Sequence, residues 1–500
     1  MQQYKLFIDG AWTDAAAGRS FASVNPFTQA AWAGIPQASA TDIEGAIAAA
    51  RRAFKATWRD MPGLDRGKML FKLADLLEAD AARMGRLEST DNGKVIRETR
   101  GQMVFSARQY RFYAGFADKL YGQVVPVDMR NVFDYAERAP LGVVVLVTPW
   151  NSPMALLANK LAPALAAGNC VVIKPSEHAS ATTLEFAALV ERAGFPPGVV
   201  NVVTGDGEAG RHLCSAAGID KISFTGSAEV GRQIAAAAGR NLVPTTMELG
   251  GKSPNIVFAD ANFANAATGA LAGIFTAAGQ TCVAGSRLLV QRPVYGRMVE
   301  ELARRAARIR LGDPLDEASE MGTVANRPQF DRIMGMIDVA RASGAELVTG
   351  GGPATGNGLG DGLFIAPTIF AGVSNGMEIA QQEVFGPVLS IIPFDTEDEA
   401  VAVANGTRYG LAAGVWTSDI SRVMRLTRSV EAGGIWVNTY RTPAVQAPFG
   451  GIKESGFGRE RGTYGIEEFT TSKNVMIDFS GTAKDPFAKL AAGAGAQPAA

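Results

Sequence analysis

From residue 142 onward the chain alternates short, continuous apolar runs with helix-forming stretches. GVVVLVTPW (142–150) leads into MALLANKLAPALAAG (154–168). NCVVIKPS (169–176), TTLEFAALVERAG (182–194), VVNVVTG (199–205), KISFTGS (221–227) and AEVGRQIAAAAG (228–239) repeat the alternation. Runs that are apolar at every position, rather than every second one, suit strands covered on both faces. Strands of that kind, each followed by a helix, make βαβ units around a parallel sheet. The helix stop is well marked where Gly194 follows the last turn and Pro196 stands just beyond. In such sheets nucleotides bind at the carboxyl ends of the strands.

A second α/β region begins near Gly251. SPNIVF (253–258), RLLVQR (287–292), VFGPVLSIIPF (384–394) and GGIWVNTY (433–440) read as strands, and residues 294–310 and 332–344 as helices. The first forty residues read as short strands and turns. A helix follows, with Thr41 and Glu44 as its capping box, and further helices are expected over 66–87 and 96–120. Five hundred residues exceed one comfortable core, so two or three domains are expected. From Lys484 the chain is rich in Ala, Gly and Pro and reads as a disordered tail.

Charge and residue scarcity narrow the function. A net charge of -1 argues against a nucleic-acid or membrane-surface binder. The longest clean apolar runs are too short to span a bilayer, and the N-terminus lacks the pattern of a secretory signal. The expectation is a cytoplasmic protein. Three cysteines cannot form a disulfide framework, and two histidines, His178 and His212, offer no metal-ligand spacing, so no metal site is expected.

Cys282 stands in AAGQTCVAGSR (277–287) among small and polar neighbours, an uncluttered setting that suits a working thiol. Cys170, at a strand start, and Cys214, in a helical stretch, read as packing residues. In MELGGKSP (247–254), Glu248 lies between a strand and a double glycine and is a candidate general base, against a surface turn. In TPWNSP (148–153), Asn151 follows a buried strand, and its amide can donate to a developing oxyanion or simply turn the chain. KPSE (174–177) places Lys174 and Glu177 where ribose hydroxyls would lie, against a solvated loop. A carboxylate there also repels a 2′-phosphate, favouring NAD over NADP. Two stretches compete as phosphate cradle. GDGEAG (205–210) matches G-x-G-x-x-G, a weak signal among 57 glycines, whereas FTGSAEVG (224–231) puts Ser227 at a helix start, where an N-cap serine is the plain alternative. The second is favoured.

Eight of these segments, TPWNSP, KPSE, FTGS, MELGGKSP, GQTCVAGSR, EVFGPVL, WVNTY and PFGGIKESGFGRE, occur in the order found in the NAD(P)-dependent aldehyde dehydrogenase superfamily. The chain resembles its non-acylating bacterial members from about residue 6 to 477. The resemblance implies an α/β fold. A Rossmann-like parallel-sheet cofactor domain (1–121 and 139–249) would join a second α/β catalytic domain (250–469). A small β oligomerisation arm (122–138 and 470–483) would serve a homodimer or homotetramer, and the tail (484–500) would stay disordered. It implies Cys282 as nucleophile, Glu248 as general base and Asn151 as oxyanion donor. Trp150, Lys174, Glu177, Gly207, Ser227, Leu249, Glu383 and Phe385 fall on cofactor contacts. Phe105, Gln109, Ser152, Met154, Val283, Thr442 and Phe449 fall near the aldehyde tunnel.

The expected chemistry is attack of the Cys282 thiolate on an aldehyde, oxidation to a thioester and hydrolysis to the acid. Members that pass the acyl group to coenzyme A generally lack the base at Glu248, so its presence implies water as acceptor. Ser152 stands where many members carry a bulky aromatic, which implies a wider tunnel and medium-chain or aromatic aldehydes. Arg441 is a candidate partner for a carboxylate-bearing aldehyde, with a structural or surface arginine as the favoured alternative. NAD is the expected cofactor, with NADP possible. A cysteine esterase, a non-catalytic relative and an NADP-preferring semialdehyde dehydrogenase are the rival readings.

Overall fold

The strand Val143–Thr148 sits at the centre of an eight-stranded sheet and is buried along most of its length. The computed structural model describes residues 1–356, 358–482 and 486–487. Parallel to that strand lie Cys170–Pro175 and then Val200–Val202 on one side, and Lys221–Thr225 and then Thr245–Glu248 on the other. Chain order therefore runs outward in both directions from the gap between Val143–Thr148 and Lys221–Thr225. That reversal opens a crevice at the strand ends, the place where doubly wound sheets bind ligands. Cys170–Pro175 and Lys221–Thr225 are buried at every position, as their unbroken apolar character predicts.

The helix Pro153–Ala167 backs this sheet and is almost wholly buried. Pro153 opens it, where a missing N–H costs nothing, and Gly168 closes it at φ 97. The edges are antiparallel. Leu6–Ile8 and Ala11–Thr13 extend one side, and Gly456–Phe457 pairs with Thr245–Glu248 on the other. Gly456–Phe457 belongs to the span expected for the catalytic unit, so the C-terminal chain returns to finish the first sheet.

The second sheet has seven strands. Thr368–Ala371, Val388–Phe394, Arg287–Gln291, Pro254–Val257, Ala412–Trp416 and Gly434–Val437 run parallel, and Glu346–Thr349 adds an antiparallel edge. Separate apolar cores cover its two faces, one around Ile337, Phe370 and Phe394 and the other around Ile274, Leu288 and Trp416. A third sheet pairs Val132–Pro140 with Thr470–Asp478 over nine residues, and Gln123–Val125 lies on its other side. Among the described residues no helix is long and apolar enough to cross a membrane.

Local details differ from the sequence reading. The first long helix is capped by Ser39 and not Thr41. Ser39 Oγ accepts from the Asp42 N–H, and the Asp42 carboxylate accepts from the Ser39 N–H at 2.8 Å. Ser39 and Asp42 have the same three-residue spacing as Thr41 and Glu44, and the shorter acid also takes the Ala16 N–H. The helix expected over 66–87 is two, Gly63–Ala79 and Ala81–Asn92, broken at Asp80. The next ends at Ala114 and not 120, with Gly115 following. The tail expected from 484 lies, apart from 486–487, outside the described residues.

Candidate active site

Cys282 follows a turn that few sequences adopt. The helix Phe263–Phe275 ends, and Ala277 (φ 55) and Ala278 (φ 49) then take left-handed conformations. Each such non-glycine residue costs about 1–3 kcal/mol, so the surroundings must enforce the shape. Gln280 does much of this. Its buried amide donates to the carbonyls of Ala277 and Thr323, both at 3.2 Å, and accepts from the Ala325 N–H at 2.9 Å. The Ala277 N–H donates to Glu98 Oε1 at 3.0 Å, and Tyr440 Oη donates to the Val283 carbonyl at 3.1 Å. Gly251 allows this loop to come close, because a Cβ there would lie 2.5 Å from the Cys282 carbonyl. The cysteine ends up partly buried, packed against Val283, Leu411 and Ala412.

Asn151 is bound to the same loop. Its Nδ2 donates to the Gln280 carbonyl at 2.9 Å, and its own carbonyl accepts from Lys94 Nζ at 3.0 Å. Lys94 also donates to Ser152 Oγ at 2.8 Å, which fixes both residues after the strand.

Glu248 is the last residue of its strand and is buried, with neither carboxylate oxygen hydrogen-bonded within the described chain. Gly450 leaves room for it, since a Cβ there would sit 2.7 Å from Oε1. Burial, and then the charge of Glu460, push its carboxyl well above the ordinary range; Lys160, Arg459 and Arg461 oppose the shift. Glu460 is paired with Lys160 at 2.5 Å and accepts from Asn159 Nδ2 at 2.7 Å, all of it buried. Lys160 and Glu460 are absent from the sequence-based set. The signal was the polar pair Asn159 and Lys160 in an otherwise apolar helical stretch, 154–168. Burial also pushes the Cys282 thiol up to about 12, helped by Glu383 and Glu248 and opposed by Arg441 and Arg461. The thiol is therefore neutral until a proton acceptor or a further positive charge arrives.

A cleft of 750 Å³ opens at the crevice of the first sheet. Trp150, Lys174, Glu177, Gly207 and Ser227 line it, together with His178, Arg211, Cys214 and Arg240. It adjoins a smaller one of 160 Å³ whose walls include Trp150, Asn151, Ser227, Leu249, Cys282, Glu383 and Phe385. Asn151 and Cys282 thus share a wall built from both α/β units, whereas Glu248 lines neither cleft and reaches the Cys282 thiol through its charge. The Trp150 and Phe385 rings stand at 90° with centroids 5.3 Å apart. The Glu383 carboxylate accepts from the Gly251 N–H at 3.0 Å, and burial raises its pKa to about 7. Lys174 Nζ lies 3.8 Å from Glu177 Oε2.

The two glycine-rich stretches separate in role. In GDGEAG the Asp206 carboxylate accepts from the N–H groups of Glu208 and Ala209, so these donors are already used. Ser227 caps the helix Ala228–Arg240 through the Val230 N–H and also faces the cleft. His178 is part of the cleft wall, and His212 lies 3.4 Å from Glu44. Cys170 and Cys214 both belong to the core of the first unit, and Cys214 touches the cleft as well.

Of the tunnel candidates, Val283 belongs to the small apolar cluster against which Cys282 and Phe449 both pack. Phe105 and Phe449 are joined by Arg461, whose guanidinium lies over both rings. Ser152 holds Lys94. Gln109 is buried with both amide atoms unpartnered. Met154 is fully buried in the first core, and Thr442 is exposed with its hydroxyl 2.6 Å from that of Thr439. Arg441 is held by Thr276 Oγ1 and the Ala272 carbonyl, an anchored position below the surface.

A doubly wound sheet whose switch-point crevice meets a loop-borne cysteine from a second α/β unit defines a dinucleotide-dependent oxidoreductase of the covalent type. The model of the aldehyde dehydrogenase family matches residues 12–475, and the chain belongs to that family. It is 44% identical, over 97% of its length and 99% of the other's, to (Z)-2-((N-methylformamido)methylene)-5-hydroxybutyrolactone dehydrogenase of Acinetobacter baylyi. It is also 44% identical to aldehyde dehydrogenase 1A1 of Gallus gallus, over 95% of this chain and 93% of that protein. Betaine aldehyde dehydrogenase from Staphylococcus aureus, solved in complex with NAD+, superposes with a TM-score of 0.95 at 37% identity, covering 97% of this chain and 96% of that one. The chain catalyses NAD-dependent oxidation of an aldehyde by the covalent cysteine chemistry general to its family.

Proposed function

We propose that Cys282, Asn151 and Glu248 oxidise a medium-chain or aromatic aldehyde to its free acid, with NAD+ preferred over NADP+. The observation that carries the reading is the bond from Asn151 Nδ2 to the Gln280 carbonyl, which ties an amide donor to the loop of the only cysteine facing the smaller cleft.

The residues of the larger cleft fit a dinucleotide. The buried hydroxyls of Thr148 and Thr225 point into the switch-point region without a hydrogen-bond partner in the described chain. Lys174 and Glu177 supply a donor and an acceptor for ribose hydroxyls. Glu383, held by Gly251, would bind the second ribose, and Trp150 and Phe385 would flank the cleft. When bound, NAD+ supplies the electron acceptor and a positive charge near the sulfur.

Proton loss from Cys282 to Glu248 gives the thiolate. Its sulfur bonds to the aldehyde carbon, and the carbonyl electron pair moves onto oxygen. The free N–H of Asn151 Nδ2 and the Cys282 backbone N–H receive that oxyanion; one such donor is typically worth about 100- to 1000-fold in rate. Loss of the carbon-bound hydrogen with its electron pair leaves a thioester on Cys282. Glu248 then accepts a proton from water as the water oxygen bonds to the acyl carbon and the carbon–sulfur bond breaks. An aldehyde, NAD+ and water become a carboxylate, NADH and two protons. Glu248 needs its proton removed before this step, and the neighbouring cations favour that.

The Glu177 carboxylate on the cleft wall supports the NAD preference, because a 2′-phosphate would meet like charge. The nine-residue pairing of Val132–Pro140 with Thr470–Asp478 leaves Val124, Met476 and Phe479 exposed. An exposed apolar sheet edge calls for a partner, which supports a homodimer or a tetramer built from two dimers in the cytoplasm.

The test is an aldehyde panel with NAD+ and NADP+, followed by reduced-cofactor absorbance, with product analysis and light scattering. Free acid, a higher kcat/KM with NAD+, and loss of turnover in Cys282→Ala are expected. Acetaldehyde equalling the longer substrates would refute the chain-length preference. NADP+ serving better would refute the role of Glu177. A stable monomer would remove the oligomer.

A further inference from the structure

Arg461 makes no ion pair among the described residues. Its guanidinium carbon lies 4.8 Å from the Phe449 ring centroid and 5.4 Å from that of Phe105. Nε donates to Asn159 Oδ1 at 3.2 Å. No carboxylate of the described residues lies within ion-pair distance of Arg461. The adjacent Glu460 is taken by Lys160 and Asn159. Residue 461 also holds φ 63, a left-handed conformation that costs free energy in any residue but glycine. A guanidinium set between two aromatic rings is stabilised by their faces, yet its planar fork remains matched to a carboxylate.

Two further observations point the same way. Gln109 stands one helical turn beyond Phe105 on the same face, is 1% exposed, and has no partner for either polar atom of its amide. A buried amide without a partner in the chain is free to meet a polar group of a ligand. Phe449, under Arg461, and Cys282 pack against the same small apolar cluster of Val283, Leu411 and Ala412, and the Arg461 charge acts on the Cys282 thiol. Lys160 and Glu460 cancel, and Arg441 adds a second guanidinium that makes no ion pair with a carboxylate of the described residues.

Resting on Cys282 as nucleophile, we propose that the natural substrate is an aldehyde bearing a carboxylate at its far end, which Arg461 and Gln109 bind while the carbonyl reaches the sulfur. Such substrates are semialdehydes of dicarboxylic acids. The product is then a dicarboxylate, and the substrate must be supplied by a reaction that leaves one end of a carbon chain as aldehyde and the other as acid.

The experiment compares succinic, glutaric and adipic semialdehydes with their methyl esters, each with NAD+, in the wild type and in Arg461→Leu, Arg461→Lys and Gln109→Leu. The wild type should favour at least one acid over its ester by about tenfold or more in kcat/KM, the scale of a charge-assisted hydrogen bond. Arg461→Leu should abolish that ratio through KM, Arg461→Lys should keep part of it, and Gln109→Leu should lower it. The dicarboxylate product should raise the melting temperature of the wild type but not of Arg461→Leu, a readout independent of turnover. A wild-type ratio at or below one for all three pairs, or a ratio unchanged in Arg461→Leu, overturns the proposal. If the esters are oxidised well while the acids are not, the anion site fails and the aldehyde chemistry stands. If neither class reduces NAD+, both fail.

Discussion

Asn151 Nδ2 and the Gln280 carbonyl, 2.9 Å apart, join the end of the central strand of one sheet to the loop that presents Cys282 two residues later. One amide N–H is spent on this link, and the other remains for substrate. Asn151→Ala removes both. It should lower kcat by about 100- to 1000-fold with aldehyde, with a smaller effect on NAD+ binding. Stopped-flow turnover and cofactor titration of the same protein check this. An unchanged kcat would remove Asn151 from the chemistry.

Glu248→Gln keeps the shape of the buried side chain but removes the carboxylate proposed as base. Deacylation should then become limiting. A burst of NADH close to one per active site should precede a steady rate about 100-fold or more below wild type, as expected for loss of a general base. Mass spectrometry of the quenched enzyme should find the acyl group on Cys282. A burst-free trace with normal turnover would assign the base elsewhere.

Lys160→Met leaves Glu460 buried with only the Asn159 amide. Breaking a buried pair by removing one partner typically costs about 3–5 kcal/mol, and that loss should appear in denaturant unfolding. Glu248 also loses the cation that most opposes its upward shift. The acid limb of the pH–rate profile, set by ionisation of Glu248, should therefore move to higher pH in this variant. A stability like wild type with an unmoved pH profile would mean the pair is inert.

Glu88 is 0% exposed, accepts from the Met154 N–H at 3.3 Å, and is raised by burial from 4.5 to about 7. Between those two values the folded state holds a proton that the unfolded state has released. Stability contributed by the neutral form is complete below pH 4.5 and is lost as pH rises through 7. Glu88→Gln keeps the acceptor and cannot ionise. Relative to wild type, it should gain on the order of 1–3 kcal/mol between pH 5 and pH 7.5, read from melting curves at both. A constant difference between the two proteins would contradict the shift.

The strands around 143–148, 170–175 and 221–225 were legible because unbroken apolar runs admit one economical solution, burial on both faces. Cys282, Glu248 and Asn151 were singled out by motif order, and composition set the scarcity of histidine against which they stand. Helix boundaries were less so. Ser39 and Thr41 offer equivalent capping patterns, and only the Ala16 N–H, reached through the fold, favours Asp42.

What tertiary structure alone decided lies in pairings across hundreds of residues. Lys160 meets Glu460, Arg461 enters between Phe105 and Phe449, and Gly450 makes room for Glu248. Local sequence determines backbone preference and the identity of reactive groups, which depend on neighbours a few positions away. Burial, charge compensation and proton affinity depend on whatever the folded chain brings within a few ångströms, and that is not written in any one segment.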